Sequence, residues 1–161
     1  MTAQADLILR PVQAGEIDPI TDLWHRGWIA GHEGIVPEGL LAFRNRADFR
    51  DRIAGSLGSC FTTDQLDVFV RLKGDELDQF YVHPDRIGSG LGARLMRASE
   101  ALMAARGTTR AHLIASVGND RAIGFYTRMG WDEIGTRIEA VETRDGPFEM
   151  AVVRFEKSLK T

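Results

Sequence analysis

Three glycines at alternate positions, Gly88, Gly90 and Gly92, are the residues whose spacing most directly indicates chemistry. Without a Cβ they allow backbone N–H groups to approach a bulky anion closely. A helical run follows them as far as Gly107. A helix that begins at such a turn adds free N–H groups and the positive end of its dipole. The pattern therefore predicts a seat for a diphosphate-bearing cofactor over residues 88–93.

The same glycines also fit the Gly-x-Gly-x-x-Gly/Ala pattern of dinucleotide-binding Rossmann proteins, since Ala93 follows Gly92. That fold places an acidic residue at the end of the next strand, ~20 residues further on. Here the next predicted strand ends at Ala115-Ser116 without one, and the turn lies in the middle of the chain. No Gly-Lys-Ser/Thr follows, which excludes a nucleotide P-loop. An NAD(P)-binding oxidoreductase stays an alternative on the glycine pattern alone.

Composition limits the classes of partner. The chain has 161 residues, a formal net charge of −3 and a pI near 5.8, which argues against general nucleic-acid or membrane-surface binding. Its single cysteine, Cys60, rules out an internal disulfide framework. The first residues lack the basic and apolar regions of a signal peptide. We therefore expect a cytoplasmic protein, and the spacing of the four histidines predicts no metal site.

One segment alternates basic and acidic side chains: Arg44, Arg46, Asp48, Arg50, Asp51 and Arg52. We interpret it as a solvated helix face, because interleaved charges are typical of exposed helices. The alternative is an anchor for an anionic acceptor.

The elements that must position the turn follow from periodicity and breakers. Strands are predicted at 7–9, around 59–61, at 68–72, 76–82 and 111–115, and near 131–143 and 148–155. Strands 68–72 and 76–82 form a hairpin, and 76–82 leads into the glycine turn. Helices are predicted from Asp18-Pro19, from Pro37 in two pieces, from the glycine turn, and from Asn119 to Gly130. Strand, helix and strand around the turn make one right-handed crossover.

A second motif lies in the helix after Ser116: Asn119, Ala122, Phe125, Tyr126, Gly130 and Trp131. In this order with the glycine turn, it resembles the GNAT superfamily of acetyl-CoA-dependent N-acetyltransferases, whose second motif is Asn-x-x-Ala-x-x-Phe-Tyr-x-x-x-Gly-Phe/Trp. The family's cofactor motif, Gln/Arg-x-x-Gly-x-Gly/Ala, falls on Ile87 to Gly92. Ile87 departs from the polar first position, and Arg86 beside it is a candidate source of charge. The resemblance covers residues 7 to about 155.

The resemblance implies roles for individual residues. The strand before the glycine turn would carry a bulge, with Glu76 as general base and Asp78 as its competitor. Tyr126 would protonate the departing thiolate, and His25 and His32 would lie on the acceptor side. The implied cofactor contacts are Phe80, Tyr81, Val82, Ile87, Gly88, Ser89, Gly90, Leu91, Gly92, Ala93, Asn119 and Tyr126.

The fold implied is a single α/β (α+β) domain over residues 1–161. Its mixed, mostly antiparallel sheet would have helices on both faces and a splayed parallel strand pair. The implied activity is acetyl transfer from acetyl-CoA to a primary amine by direct attack in a ternary complex, without a metal. The acceptor would be a small molecule or a protein amine, and a homodimer is expected from the final strands. A non-catalytic acyl-CoA sensor is the other alternative.

Overall fold

The structure is a computed structural model, and it describes residues 6–159. The segment considered for a signal peptide lies outside this range, apart from Asp6. No helix within the described range combines the length and the apolar composition needed to cross a bilayer.

A seven-stranded sheet forms the centre of the molecule. Its strands are β1 Arg10–Pro11, β2 Cys60–Thr62, β3 Val68–Lys73, β4 Glu76–Val82, β5 Arg110–Ser116, β6 Asp132–Thr143 and β7 Gly146–Ser158. They lie in the order β1-β2-β3-β4-β5-β7-β6. All neighbouring strands are antiparallel except β4 and β5. This arrangement confirms the expected mixed, mostly antiparallel sheet and differs from the parallel sheet of a Rossmann fold.

Within the described residues, five α-helices connect or cover these strands: α1 Ile17–His32, α2 Glu38–Leu41, α3 Arg46–Ala54, α4 Leu91–Ala105 and α5 Asp120–Arg128. Their starts follow from local chemistry. Asn45 caps α3 by accepting the Asp48 N–H at 2.9 Å, and Asn119 caps α5 by accepting the Ala122 N–H at 3.4 Å. Gly90, whose backbone is in the left-handed conformation, is the N-cap residue of α4. The two helical pieces after Pro37 are confirmed.

Helices bury apolar side chains on both faces of the sheet. On one face, α1 and α3 place Trp24, Phe49 and Ile53 over β3. On the other, α4 packs Leu95 and Met96 over β3 and β4, and α5 adds partly buried Phe125 and Tyr126. The two faces share no buried side chain, so each helix layer has its own core.

The first strand begins later than predicted. Residues 7–9 form no strand, and Ile8 is 79% exposed. The ladder runs instead through Arg10 and Pro11, which pair with Thr62 and Phe61. Proline is tolerated there because β1 is an edge strand.

The parallel pair β4–β5 separates along its length. The two strands are paired at one position, Glu76 with His112, and at no later position within the described chain. Toward its other neighbour, β4 stays paired with β3 as far as Val82. The backbone of β4 that faces β5 is therefore left without a ladder partner beyond Glu76, which is the expected splay.

Candidate active site

A cleft of about 300 Å³ opens where β4 and β5 separate. Seven of the residues that the family resemblance singled out line it: His32, Glu76, Asp78, Phe80, Tyr81, Asn119 and Tyr126. They come from β4, from the last residue of α1 and from α5 with its N-cap residue, so it is the fold that brings them together. Val82 and residues 87–93 do not line this cleft.

A bulge in β4 decides which side chains face the cleft. Leu72 pairs with Leu77 and Arg71 with Gln79, so Asp78 is an extra residue without an opposite partner. An extra residue reverses the strand's alternation. Leu77 and Phe80 therefore both pack on the α4 side.

After the bulge, the other side chains of β4 turn toward α1. Gln79 accepts a hydrogen bond from the indole of Trp24 at 3.1 Å. The ring of Tyr81 lies against Gly27, where an added Cβ would come within 2.6 Å of it. The bulge implied by the family resemblance is confirmed, at Asp78.

Two carboxylates on β4 have different surroundings. Burial raises the pKa of Glu76, and the neighbouring Asp78 raises it further. Glu76 forms no hydrogen bond or ion pair with any described residue, so its carboxylate can accept a proton. Asp78 is held instead by Arg71, at 3.0 Å. The geometry separates a carboxylate able to act as a base from one already occupied in an ion pair.

Tyr126 reaches the cleft from α5 between aromatic rings. Phe80 meets it edge-on with ring centres 6.4 Å apart, and the Phe155 ring is 5.7 Å away. Burial raises the pKa of Tyr126 to about 12. The phenol is therefore a neutral hydrogen-bond donor throughout the physiological pH range, and its hydroxyl has no acceptor among the described residues.

The glycine turn forms a separate, exposed surface at the start of α4. Gly88 and Gly90 have φ values of +83° and +86°, and a Cβ added at either would meet nothing within 4 Å. The Leu91 N–H reaches the Ser89 Oγ at 3.4 Å, while the N–H groups of Gly92 and Ala93 make no hydrogen bond within the described chain. The free N–H groups of this turn face open space, which leaves room for a phosphate to bind them.

The loop before this turn is held by its own hydrogen bonds. His83 Nδ1 accepts the Asp85 N–H at 3.1 Å, so this histidine has a structural role in the loop. Arg86 lies 3.7 Å from Asp67.

The basic segment predicted to be a solvated helix face divides into two parts. Arg46 and Arg50 are exposed and pair with Asp22 and Asp18 of α1. Arg44 and Arg52 instead turn inward and line the cleft. The expectation is therefore wrong for these two residues, because α3 packs on α1 and buries one side of the segment.

Arg71 and Glu139 also line the cleft, and both were missed from the sequence. Arg71 is a charged residue between Val70 and Leu72 in an otherwise apolar part of β3, and this was the available signal. Glu139 lies on a long strand without a fully buried residue, where nothing in the local pattern marks it.

The remaining candidate groups are structural or peripheral. His32 lines the cleft, stacked on Trp28 with ring centres 4.5 Å apart, and burial lowers its pKa. His25 packs near Phe49 and does not line the cleft. Cys60 is fully buried. Within residues 6–159, no group of three or more His, Cys, Asp or Glu side chains is arranged to hold a metal.

Comparison with known proteins adds independent information. The family model described as "Acetyltransferase (GNAT) family" matches residues 10–131, which is most of the chain. A search of curated proteins gave no match. The match spans both the glycine turn and the Asn119–Trp131 motif.

Solved structures agree with the fold. A GCN5-related N-acetyltransferase from Rhodopseudomonas palustris is 23% identical, with a TM-score of 0.71, and the match covers 98% of this chain and 99% of that one. PaiA N-acetyltransferase from Thermoplasma acidophilum, solved with coenzyme A, is 16% identical with a TM-score of 0.62 (94% and 98% covered). YncA from Salmonella typhimurium, solved with acetyl-CoA, is 13% identical with a TM-score of 0.69 (98% and 96% covered).

Proposed function

We propose, from the premise that this chain belongs to the acetyltransferase (GNAT) family, that it transfers the acetyl group of acetyl-CoA to a primary amine by direct attack in a ternary complex. Family membership makes the protein an acyltransferase. The observation that supports the proposed mechanism is the cleft at the splay, where an unpartnered carboxylate and a neutral phenol line the same space.

The glycine turn and the splayed strand would hold the cofactor. The turn formed by Ile87, Gly88, Ser89, Gly90, Leu91, Gly92 and Ala93 would bind the diphosphate. The N–H groups of Gly88, Gly90, Gly92 and Ala93, which make no hydrogen bond within the described chain, would be the donors. The free backbone of Phe80, Tyr81 and Val82 would bind the pantetheine arm, and Asn119 would add a side-chain contact. When bound, acetyl-CoA supplies an activated thioester. An N–H of the splayed strand would stabilise negative charge developing on the acetyl oxygen.

Glu76 would act as the general base. An amine must lose a proton to attack, and a carboxyl with a raised pKa is better matched to neutral pH than an ordinary one. The ion pair of Asp78 with Arg71 makes Asp78 the weaker candidate.

Tyr126 would act on the leaving group. Its hydroxyl stays protonated at neutral pH because burial raises its pKa to about 12. It would donate to the departing thiolate sulfur. Since the same dry surroundings also disfavour a thiolate, the donated hydrogen bond gains strength there.

The first experiment is thermal unfolding with acetyl-CoA, CoA, NAD and NADP added in parallel. A ligand present at about 100 times its dissociation constant stabilises the native state by about 2.7 kcal/mol. We expect acetyl-CoA and CoA to raise the melting temperature and the nicotinamide cofactors to have no effect. Free thiol released from acetyl-CoA in the presence of an amine panel then measures turnover.

Each alternative has its own outcome. Stabilisation by NAD or NADP alone would overturn the proposal in favour of an oxidoreductase. A sensor would be favoured if acetyl-CoA stabilised the protein but neither wild type nor the Glu76→Gln and Tyr126→Phe variants turned over any amine.

The family acts on amine acceptors, but the fold does not select one. Solved structures of similar fold include a spermidine N-acetyltransferase chimera and an Escherichia coli ribosomal-protein-S18-alanine N-acetyltransferase, which are 16% and 17% identical to this chain. We propose no nucleic-acid or membrane partner, and a cytoplasmic location, with which the lone buried Cys60 is compatible.

We also propose a homodimer through β6. This strand is at the edge of the sheet, and Ile134 and Ile138 on it are 44% and 64% exposed. Light scattering after size-exclusion chromatography would test it, and a monomer at all concentrations would refute it.

A further inference from the structure

Three arginines converge on one side of the cleft: Arg44, Arg52 and Arg71, here called the arginine cluster. Their side chains are 5%, 22% and 14% exposed. Arginines are rarely so buried unless their charge is matched. The carboxylates paired with these arginines therefore show whether the charge of the cluster is balanced within the protein.

Two carboxylates serve these three guanidinium groups. Asp48 lies 3.4 Å from Arg44 and 3.9 Å from Arg52, while Asp78 lies 3.0 Å from Arg71. Arg44 also donates to the Glu142 carbonyl at 2.6 Å, so it is the most fully bonded of the three. The cluster keeps one positive charge in excess.

Donors in the cluster are left over as well. The guanidinium of Arg52 makes no hydrogen bond with any described residue, and the Nε of Arg71 is buried without a partner. Arg52 is nevertheless held in place, because its guanidinium carbon lies 4.6 Å from the centre of the Trp24 ring. A fixed guanidinium with unused N–H groups is suited to bidentate binding of a carboxylate.

Mutual repulsion among the three arginines also favours binding of an anion at the cluster. Burial lowers the pKa of Arg52 to about 10, and the charges of Arg44 and Arg71 contribute to the lowering. Arg52 is still a cation at neutral pH. An anion bound between these groups would relieve the repulsion.

A second charged group in the cleft has the opposite sign. Glu76 and Glu139, here called the carboxylate pair, both line the cleft, and Glu139 helps to raise the pKa of Glu76. The cleft thus presents cations on its α3 side and carboxylates near the start of β4. A ligand complementary to both carries a positive and a negative group.

We propose that the acceptor is a small amino acid-type zwitterion, its amine directed to the carboxylate pair and its carboxylate bound by Arg52 and Arg71. This inference rests on the proposed acetyl transfer and specifies its acceptor. Glu76 takes one proton from the ammonium, and the neutral amine forms the new N–acetyl bond as the thioester C–S bond breaks. Tyr126 gives its proton to the departing sulfur to form the CoA thiol, and the second proton lost by the nitrogen restores the phenol of Tyr126. The cleft volume of about 300 Å³ suits a small molecule. A polyamine would bring a second ammonium against the arginines, and a protein N-terminus or lysine lacks the free carboxylate next to its amine.

The test compares acceptors that differ only in charge. Thiol release from acetyl-CoA is measured with the free L-amino acids, their C-terminal amides, the matching decarboxylated amines and spermidine. We expect at least one amino acid to exceed its own amide by about 10- to 100-fold in kcat/KM, the ratio that corresponds to one hydrogen bond to a charged group. The comparison is stringent, because a carboxylate makes the neighbouring amine more basic and less available as free base.

A pair of variants on α3 isolates the cluster. Arg52→Met keeps an unbranched stem over Trp24 and removes the cation. Arg50→Met removes an exposed arginine two positions away that pairs with Asp18. We expect Arg52→Met to raise KM for the amino acid by about 10-fold or more, with little change in kcat or in turnover of the amide. Arg50→Met should match wild type, and thermal unfolding monitors the folding of both.

Several outcomes would overturn the inference. Equal turnover of amino acids and amides, a preference for spermidine, or unchanged discrimination in Arg52→Met would each do so. So would a complex with acetyl-CoA that no free amino acid either stabilises or turns over. In all of these cases acetyl-CoA still stabilises the protein and the proposed activity can stand, whereas loss of acetyl-CoA binding itself would refute the proposed function.

Discussion

Replacing Glu76 with Gln should lower the catalytic activity without lowering the stability of the folded protein. Glu76 is partly buried and has no described partner, and burial together with Asp78 raises its pKa. Gln keeps the shape of the side chain and removes the charge. The substitution therefore removes a proton acceptor without removing a stabilising ion pair.

The loss of activity follows from the proposed role. A positioned general base contributes about 10²- to 10⁴-fold, or about 2.7–5.5 kcal/mol of transition-state stabilisation. We expect kcat/KM to fall by this factor. In wild type, kcat/KM should rise with pH through an acidic limb above the ordinary carboxyl pKa of 4.5, because Glu76 must be ionised to act. That limb should be missing in Glu76→Gln.

The stability change has the opposite sign. The pKa of Glu76 is raised in the folded protein. Between its unfolded and folded pKa values, the native state therefore still holds a proton that the unfolded state has lost. Stability of wild type therefore declines as pH rises from 4.5 through the raised pKa. Gln has no such dependence. Above that window, Glu76→Gln should be at least as stable as wild type.

Asp78→Asn is the matched control on the same strand. It breaks the 3.0 Å ion pair with Arg71, whose two side chains are 14% and 17% exposed. Loss of a hydrogen bond between charged groups costs about 1.5–3 kcal/mol, which in a protein of this size lowers the melting temperature by about 3–12 °C. The expected order of stability is Glu76→Gln, wild type, Asp78→Asn, and the expected order of activity is wild type, Asp78→Asn, Glu76→Gln.

Initial rates of thiol release between pH 5 and 9, with melting curves over the same range, measure both orders. An acidic limb that persists in Glu76→Gln and disappears in Asp78→Asn would assign the base to Asp78. A Glu76→Gln protein that melts well below wild type at neutral pH would refute the description of its surroundings.

Three further perturbations test other parts of the site. Tyr126→Phe should leave acetyl-CoA binding intact and lower kcat by about 10- to 100-fold, since one hydrogen bond to a developing charge is lost; an unchanged kcat would remove Tyr126 from the mechanism. Gly90→Ala should cost about 1–2 kcal/mol of stability, because the φ of Gly90 is +86°. It should also weaken acetyl-CoA binding in a melting-shift titration. The control Gly74→Ala changes a glycine at φ +61° in the β3–β4 hairpin, and it should show the stability cost alone. Gly27→Ala should destabilise by about 1–3 kcal/mol despite a better helix propensity, because its Cβ would come within 2.6 Å of the Tyr81 ring; a more stable variant would mean that the ring moves freely.

Features governed by neighbouring residues could be predicted from the sequence. The positive φ of Gly88 and Gly90, the caps at Asn119 and Gly107 and the hairpin at Gly74 depend on a few consecutive residues. The glycine turn and the Asn119–Trp131 motif also indicated the family, now shown by the match over residues 10–131. The exception among local elements is the first strand, whose position depends on pairing with Thr62 and Phe61.

The composition of the cleft depended on contacts between distant parts of the chain. Arg44, Arg46, Arg50 and Arg52 look equivalent in sequence, yet packing of α3 against α1 exposes two of them to Asp18 and Asp22 and turns the other two inward. No local pattern carries that division, because it depends on which side of α3 meets another helix.

The same holds for the two carboxylates of β4. Glu76 and Asp78 are two residues apart, and strand periodicity treats them alike. The bulge at Asp78, set by the register against β3, gives Asp78 to Arg71 and leaves Glu76 without a partner. Sequence determined which residue types were present near the cofactor turn. Tertiary structure determined which of them kept a free charge, because burial and ion pairing arise only when distant strands and helices meet.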